Sequence, residues 1–210
     1  MEQAAGFVLA GGRSSRMGVE KALVGFRGES MIVHALRTLR EAGLSASIAG
    51  ARTSLEQFAP VVPDAQPDLG PLGGICAALA STEARRAVFL PVDLPLLPAS
   101  LLVALLEEAA PVVVVEVDGF VQTFPAVVAR ATLPGLLAEL EAGRGGCFSA
   151  FQAAAARLGQ SVRVLSLVDL VKQKRLVHPR GLPLESWFLN LNRPDDLHRA
   201  EACLGSLERI

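Results

Sequence analysis

The stretch GFVLAGGRSSRMGVEKAL, residues 6–23, opens as an apolar run and passes at once into glycines and cations. Its first part, GFVLA (6–10), reads as a short buried strand that ends in glycines. Gly11, Gly12 and Gly18 carry no Cβ, so backbone N–H groups there can approach an anion and adopt positive φ. Arg13, Arg16 and Lys21 set three positive charges against the single carboxylate of Glu20. Concave amides with three cations fit a polyphosphate. The spacing is not G-x-x-x-x-G-K-[ST], because Lys21 comes three residues after Gly18 and Ala22 follows it. Nor is it G-x-G-x-x-G, so a P-loop NTPase and an NAD enzyme are both disfavoured. On composition alone, a solvated basic loop between a strand and a helix would look the same.

Strand and helix patterns alternate along the rest of the chain. Residues 30–43 predict a helix, with Ser30 placed to cap it, an apolar stripe at Met31, Ala35, Leu39 and Ala42, and Gly43 to end it. Strands are expected at 45–51, 58–64, 86–93, 111–117, 121–129 and 161–167. Helices are expected at 72–82 (entered from a glycine-rich turn at 68–74), 99–110, 131–143, 147–159 and 194–208. Asp118–Gly119 is a hairpin signal between two of the strands. The polar stretch 172–183, which holds Lys172, Lys174, Arg175, His178 and Arg180, reads as a surface loop, with a phosphate-bearing second substrate as the sharper reading. Continuous apolar strands alternating with helices imply a mostly parallel sheet covered on both faces. The expectation is one α/β domain over 1–210, Rossmann-like and three-layered, with a small antiparallel insertion around 111–129.

Composition narrows the function. Apolar residues make up 51% of the chain and the net charge is −1, which supplies a core easily and gives no broad basic surface for nucleic acid or membrane. No apolar run approaches a membrane span, and the expected location is the cytoplasm. Cys76, Cys147 and Cys203 lack zinc spacing and a disulfide framework. His34, His178 and His198 show no metal-binding spacing.

In open α/β sheets, ligands bind outside the carboxyl ends of the parallel strands. That rule brings together the loop 11–21, the turn 68–74 and Asp93. Asp93 follows a buried strand and is fenced by Pro91, Pro95 and Pro98, which keep it out of a helix. It can serve as an oxygen ligand for phosphate-bound Mg²⁺, or as an ordinary turn or cap residue. Asp64 or Asp68 could accept hydrogen bonds from an N1–H/N2–H₂ base edge. Asn190 and Asn192, two apart on an extended segment, point the same way, although Asn192 could simply cap the helix that follows. Gln122 reads as a solvent-facing strand residue.

The order of these motifs resembles the nucleotidyltransferase family that includes molybdenum cofactor guanylyltransferase. The stretch from Leu9 to Leu23 follows that family's L-A-G-G-x-S-x-R-M-G-x-x-K-x-L pattern. GPLGGI (70–75), DLP (93–95) and NLNRPDDL (190–197) follow in the family's order. Arg193 departs from the pattern, standing where the family commonly has threonine.

The resemblance implies that Leu9, Ala10, Gly11 and Gly12 contact the nucleotide. It implies Arg16 and Lys21 on the phosphates, Asp93 as nucleotide and Mg²⁺ ligand, Asp68 on the base, and Asn190 and Asn192 on a pterin. The implied substrates are GTP and molybdopterin, joined by GMP transfer with loss of pyrophosphate. Transient contact with cofactor-delivery or molybdoenzyme chaperone proteins is a further expectation. Gly12 and GPL favour guanine over cytosine within the family. The alternatives are a relative using CTP or another phosphorylated acceptor, and a GTP-binding accessory protein without turnover.

Overall fold

The computed structural model describes residues 3–10, 20–50, 53–64, 70–144 and 146–205. Its first strand, β1 (Ala4–Leu9), is followed by a short antiparallel pair, β2 (Gly25–Phe26) and β3 (Glu29–Ser30), and by helix α1 (Met31–Glu41). Then come β4 (Ser45–Ala49), β5 (Val61–Val62), α2 (Gly70–Ser81), β6 (Arg86–Pro91) and α3 (Ala99–Glu107). The second half holds β7 (Val112–Val117), β8 (Phe120–Ala129), α4 (Leu133–Glu141), α5 (Cys147–Arg157), β9 (Arg163–Ser166), α6 (Leu167–Lys172), α7 (Leu184–Trp187) and α8 (Pro194–Gly205).

Seven strands form one sheet in the order β5-β4-β1-β6-β8-β7-β9. β1 pairs in parallel with β4 and β6, β4 with β5, and β7 with β9, while β8 runs antiparallel to both of its neighbours. The mostly parallel α/β sheet is as expected. The antiparallel element expected near 111–129 is present, but it lies inside the main sheet. Asp118 (φ 49°) and Gly119 (φ 82°) form its tight turn, both in the left-handed region that a two-residue hairpin needs.

Alternation along the strands divides the core into two layers. Val8, Ile48, Val88, Leu90, Val113, Val115 and Val127 face one way, against Leu36 and Leu39 of α1 and Leu101, Leu102 and Leu105 of α3. Ala5, Phe7, Ala87, Phe89, Val112, Val114, Ala126 and Val128 face the other, against Ile75 and Leu79 of α2, Leu136 of α4 and Phe151 of α5. Phe7 and Phe89 sit in register and stack at 5.7 Å between ring centroids. Helices on both faces give the three layers that the apolar strands call for.

Four local expectations are corrected. The glycines at 70–74 do not form a turn before a helix; Gly70–Gly74 are the opening of α2 itself, with Gly73 and Gly74 buried. Ser30 stands at the N-cap of α1 with extended backbone, as the last residue of β3, but makes no side-chain capping bond. The stretch 172–183 is not a plain surface loop. Leu176, His178 and Leu182 are buried in it, so apolar anchors override the basic composition. Gln122 is half-buried rather than solvent-facing, and its side-chain amide donates to the Phe120 carbonyl at 3.2 Å.

Gly6 shows how tightly β1 is packed. A Cβ there would lie 2.8 Å from the Ser45 carbonyl oxygen and 3.1 Å from both methyls of Leu39. Backbone cannot give way as a flexible side chain can. Gly6→Ala is expected to destabilise the protein by about 1–3 kcal/mol, seen as a lower urea midpoint with an unchanged m-value.

Candidate active site

The carboxyl ends of β1, β4, β5 and β6 open at one edge of the sheet, and the candidate residues gather there. Leu9 and Ala10 are half-buried at the end of β1. The Ala10 N–H donates to Ala49 O on one side (3.2 Å), and Leu9 O accepts from the Val92 N–H on the other (3.3 Å). The last residues of β1 are therefore clamped between the segments that continue β4 and β6. Lys21 begins a single tight turn, Lys21–Leu23, which is anchored by buried Ala22. The Leu23 N–H donates to Glu20 O and the Val24 N–H to Lys21 O, which holds the turn closed. The Ser54 hydroxyl donates to Glu20 at 3.1 Å, so this acid does more than offset the loop's cations.

The Lys21 ammonium reaches across the sheet edge. It donates to Asp93 Oδ2 at 2.6 Å and to Asn192 Oδ1. The two charged side chains keep 22% and 19% of their exposure, so water screens the pair only in part. The Leu191 N–H donates to the Asp93 carbonyl at 3.1 Å, which lays the 190–192 segment alongside the end of β6. Leu191 is buried while Asn190 and Asn192 on either side are exposed, the alternation an extended segment requires. Asp196 Oδ2 accepts from the backbone N–H groups of Asn192 and Arg193, each at 2.9 Å. These two bonds are the reach-back half of a capping box at the start of α8, where Arg193 replaces the expected threonine, and they leave the Asn192 side-chain oxygen to Lys21.

Asp64 lies just past β5. Its Oδ1 is buried without a hydrogen-bond partner among the described residues. An ideal Cβ on Gly74 would sit 3.0 Å from that oxygen, so the absence of a side chain at 74 makes room for it. Burial pushes the Asp64 carboxyl above the usual carboxylate range.

Lys21 thus contacts both Asp93 and Asn192, with Asn190 on the adjoining segment and Leu9 and Ala10 at the same edge. Gly11, Gly12, Arg13, Arg16 and Gly18 lie outside the described residues, as does Asp68. Among the described residues, no group of three or more His, Cys, Asp or Glu could hold a metal ion. Burial pushes the Cys76 and Cys147 thiols up to about 11, which leaves both inert near neutrality. Of Asp196 and His178, sequence reasoning gave the first only an electrostatic place at the N-terminus of the closing helix, and the second no structural role. The signal for the second was the lone tryptophan, Trp187, among leucines in a stretch otherwise rich in cations.

Residues 6–170 match the profile of the MobA-like NTP transferase domain. The chain belongs to that family. It is a nucleotidyltransferase. Over 216 residues it is 33% identical to the molybdenum cofactor guanylyltransferase of Rhizobium johnstonii, covering 97% of this chain and 94% of that one. With the protein of the same description from Xanthomonas euvesicatoria it shares 45% identity over 103 residues, 48% of this chain and 52% of the relative.

Among solved structures, molybdopterin-guanine dinucleotide biosynthesis protein A from Archaeoglobus fulgidus superposes with a TM-score of 0.74 at 20% identity, over 96% of this chain and 99% of that one. A CMP:2-keto-3-deoxy-manno-octonic acid synthetase bound to CTP superposes with a TM-score of 0.67 at 15% identity, over 98% and 99%. At these identities the structural likeness establishes the fold. Among the described residues no helix is long and apolar enough to cross a membrane.

The orphaned Asp64 oxygen has a thermodynamic signature. Its folded-state pKa is raised, so the native state takes up a proton before the unfolded chain does, and the charged form weakens the fold above that pKa. Asp64→Asn is expected to raise the unfolding free energy of the ligand-free protein at pH 7, because it removes the charge that burial disfavours. The gain should shrink as pH falls through the raised pKa toward the ordinary value of 3.8, which urea titrations at several pH values would record.

Proposed function

We propose that this protein transfers GMP from GTP to the terminal phosphate of molybdopterin, releasing pyrophosphate and forming a guanine dinucleotide cofactor. The observation that carries this reading is the Lys21 ammonium spanning Asp93 and Asn192 at the carboxyl edge of the sheet. It joins a cation suited to nucleotide phosphates to a residue of the acceptor-side asparagine pair. Relatives described as molybdenum cofactor guanylyltransferases, one of them aligned over 97% of this chain, supply the substrate class.

The acceptor is a phosphate monoester, whose second pKa is about 6, so it is largely ionised near neutrality. Its oxygen attacks the α-phosphorus of GTP. The new P–O bond forms as the bond to the β-phosphate bridge breaks, and the electron pair leaves with pyrophosphate. No side-chain base is required. The protein must instead bring two anions together, so positioning and charge neutralisation carry the catalysis. Lys21, with Arg16 from the glycine loop, neutralises the triphosphate. Gly11 and Gly12 offer backbone amides, and Asn190 and Asn192 receive the pterin.

Asp93 suits Mg²⁺, which binds through one or two carboxylates together with substrate phosphates and keeps several waters. Among the described residues no cluster of three or more acidic, His or Cys ligands surrounds Asp93, which fits that habit. When bound, the ion screens charge on the phosphates. In the ligand-free protein Lys21 supplies that screening to Asp93, so arrival of the nucleotide frees the carboxylate as the ammonium turns to phosphate.

Between Asp68 and Asp64, the structure supplies an argument for Asp64 as the base reader. Its buried oxygen lacks a partner, and a carboxylate can accept from guanine N1–H and N2–H₂ together. Cytosine offers a single exocyclic amino group, so a guanine-sized preference follows. Asp64→Asn should reduce the GTP over CTP preference by about 10- to 100-fold, in keeping with 1–3 kcal/mol for a bidentate contact.

Pyrophosphate release from the four NTPs, with Mg²⁺ and molybdopterin, tests the assignment. GTP alone should support turnover. Lys21→Ala and Asp93→Ala should fold normally and lose on the order of 10²- to 10³-fold in kcat. Full activity in either variant, or equal use of CTP by the wild type, would refute the reading. Binding of GTP·Mg²⁺ without pyrophosphate release would mark a nucleotide-binding accessory protein instead. In the absence of nucleotide, Lys21→Met should bind Mn²⁺ more tightly than the wild type, because the competing ammonium is gone.

A further inference from the structure

The family match ends at residue 170, yet Asn190 and Asn192 lie twenty residues beyond it. They are carried at the end of a strap, residues 173–192. The strap is held by buried Leu176, His178, Leu182 and Trp187. His178 is its central fastening. One ring nitrogen, Nε2, lies 3.0 Å from the Leu96 carbonyl. The other, Nδ1, accepts from the Arg180 N–H at 3.1 Å. An acceptor role at Nδ1 places the ring proton on Nε2, so the imidazole is neutral and donates to Leu96. Burial, the largest influence on the group, favours the same neutral form. The ring packs against the Trp187 indole at 5.4 Å, and the indole N–H donates to Leu182 O at 2.9 Å.

Leu96 belongs to the loop that begins at Asp93. The strap therefore grips this loop twice: through His178 at the Leu96 carbonyl and through the Leu191 N–H at the Asp93 carbonyl. The two grips lie three residues apart on the loop and thirteen apart on the strap. They set how the Asp93 carboxylate stands relative to Asn190 and Asn192.

We propose that His178 is a positioning residue that holds the acceptor-side asparagines in register with Asp93 through its bond to the Leu96 carbonyl. The inference rests on the roles given above to Asp93, Asn190 and Asn192. His178 touches none of the reacting groups. It acts through the backbone of the loop and the strap, so its loss should displace one half of the site and leave the nucleotide half in place.

Two substitutions separate the ring's two bonds. In His178→Gln, the amide nitrogen falls near the former Nε2 and keeps the donor to Leu96. In His178→Asn, the amide oxygen falls near Nδ1 and keeps the acceptor for Arg180, but the Leu96 bond is lost. Hydrogen exchange on the ligand-free full chain reads the register directly, with the β6 amides Val88–Leu90 as reference. His178→Asn should speed exchange of the Leu191 amide on the order of tenfold with β6 unchanged, whereas His178→Gln should keep wild-type protection. In turnover, His178→Asn should lower kcat on the order of tenfold while the KM for nucleotide stays within about twofold, and His178→Gln should restore kcat.

Unchanged Leu191 exchange in His178→Asn overturns the proposal. So does equal loss of protection in both variants together with β6, which would mark His178 as a general stabiliser. A wild-type protein inactive with every nucleotide would overturn the functional reading alone, because the exchange measurement decides the positioning without any turnover.

Discussion

Six residues of β1 lie in unbroken parallel register with six of β6, from Ala4 against Arg86 to Leu9 against Pro91. Everything at the site depends on that pairing. It ends both strands at one level, so Leu9 and Ala10 at the end of β1 lie beside the segment that carries Asp93. The pair is buried on both faces, with Val8, Val88 and Leu90 under one helical layer and Phe7, Ala87 and Phe89 under the other. Slipping the register by one residue would turn every one of these side chains to the wrong layer. The catalytic edge is thus fixed by the core, and the charged residues need spend little of their own energy on being placed.

Fixed placement permits a weakly committed electrostatic arrangement. The Lys21–Asp93 pair keeps about a fifth of each side chain exposed, so it is only partly desolvated. On the function proposed above, such a pair is exchanged for a bond to phosphate when the nucleotide arrives. A deeply buried bridge at the same place would hold the ligand-free state too firmly. Asp64 follows the complementary strategy. Its buried oxygen has no partner among the described residues, so the ligand-free protein is strained where a ligand can relieve the strain.

The alternation of strands and helices and the order of motifs were legible because they depend on local periodicity and on one general rule about sheet edges. Val8, Val88 and Val113 announce buried parallel strands whatever surrounds them. The position of β8 between β6 and β7 was not legible, because hairpin chemistry at Asp118–Gly119 defines a turn and not which outer strand accepts the hairpin. Lys21, Asp93 and Asn192 could be named one by one, but their mutual contact spans 171 residues of sequence and emerges only when the sheet is assembled. His178 was hidden by its neighbours. Lys172, Lys174, Arg175 and Arg180 made the segment look solvated, although Leu176, Leu182 and Trp187 bury it. The glycines at 70–74 suggested a turn from their composition, yet they open a helix, where at Gly74 an added Cβ would crowd the Asp64 carboxylate at 3.0 Å.

The Leu191–Asp93 bond joins one main-chain group to another. It is therefore indifferent to which side chains stand at 190 and 192. Those two exposed positions can be exchanged in evolution while Leu191 keeps its buried place and the strand end keeps its neighbour. The end of β6 is tied to the core by its paired strands, whereas the 190–192 segment meets it through the main chain, so the two sides of this sheet edge are free to change at different rates.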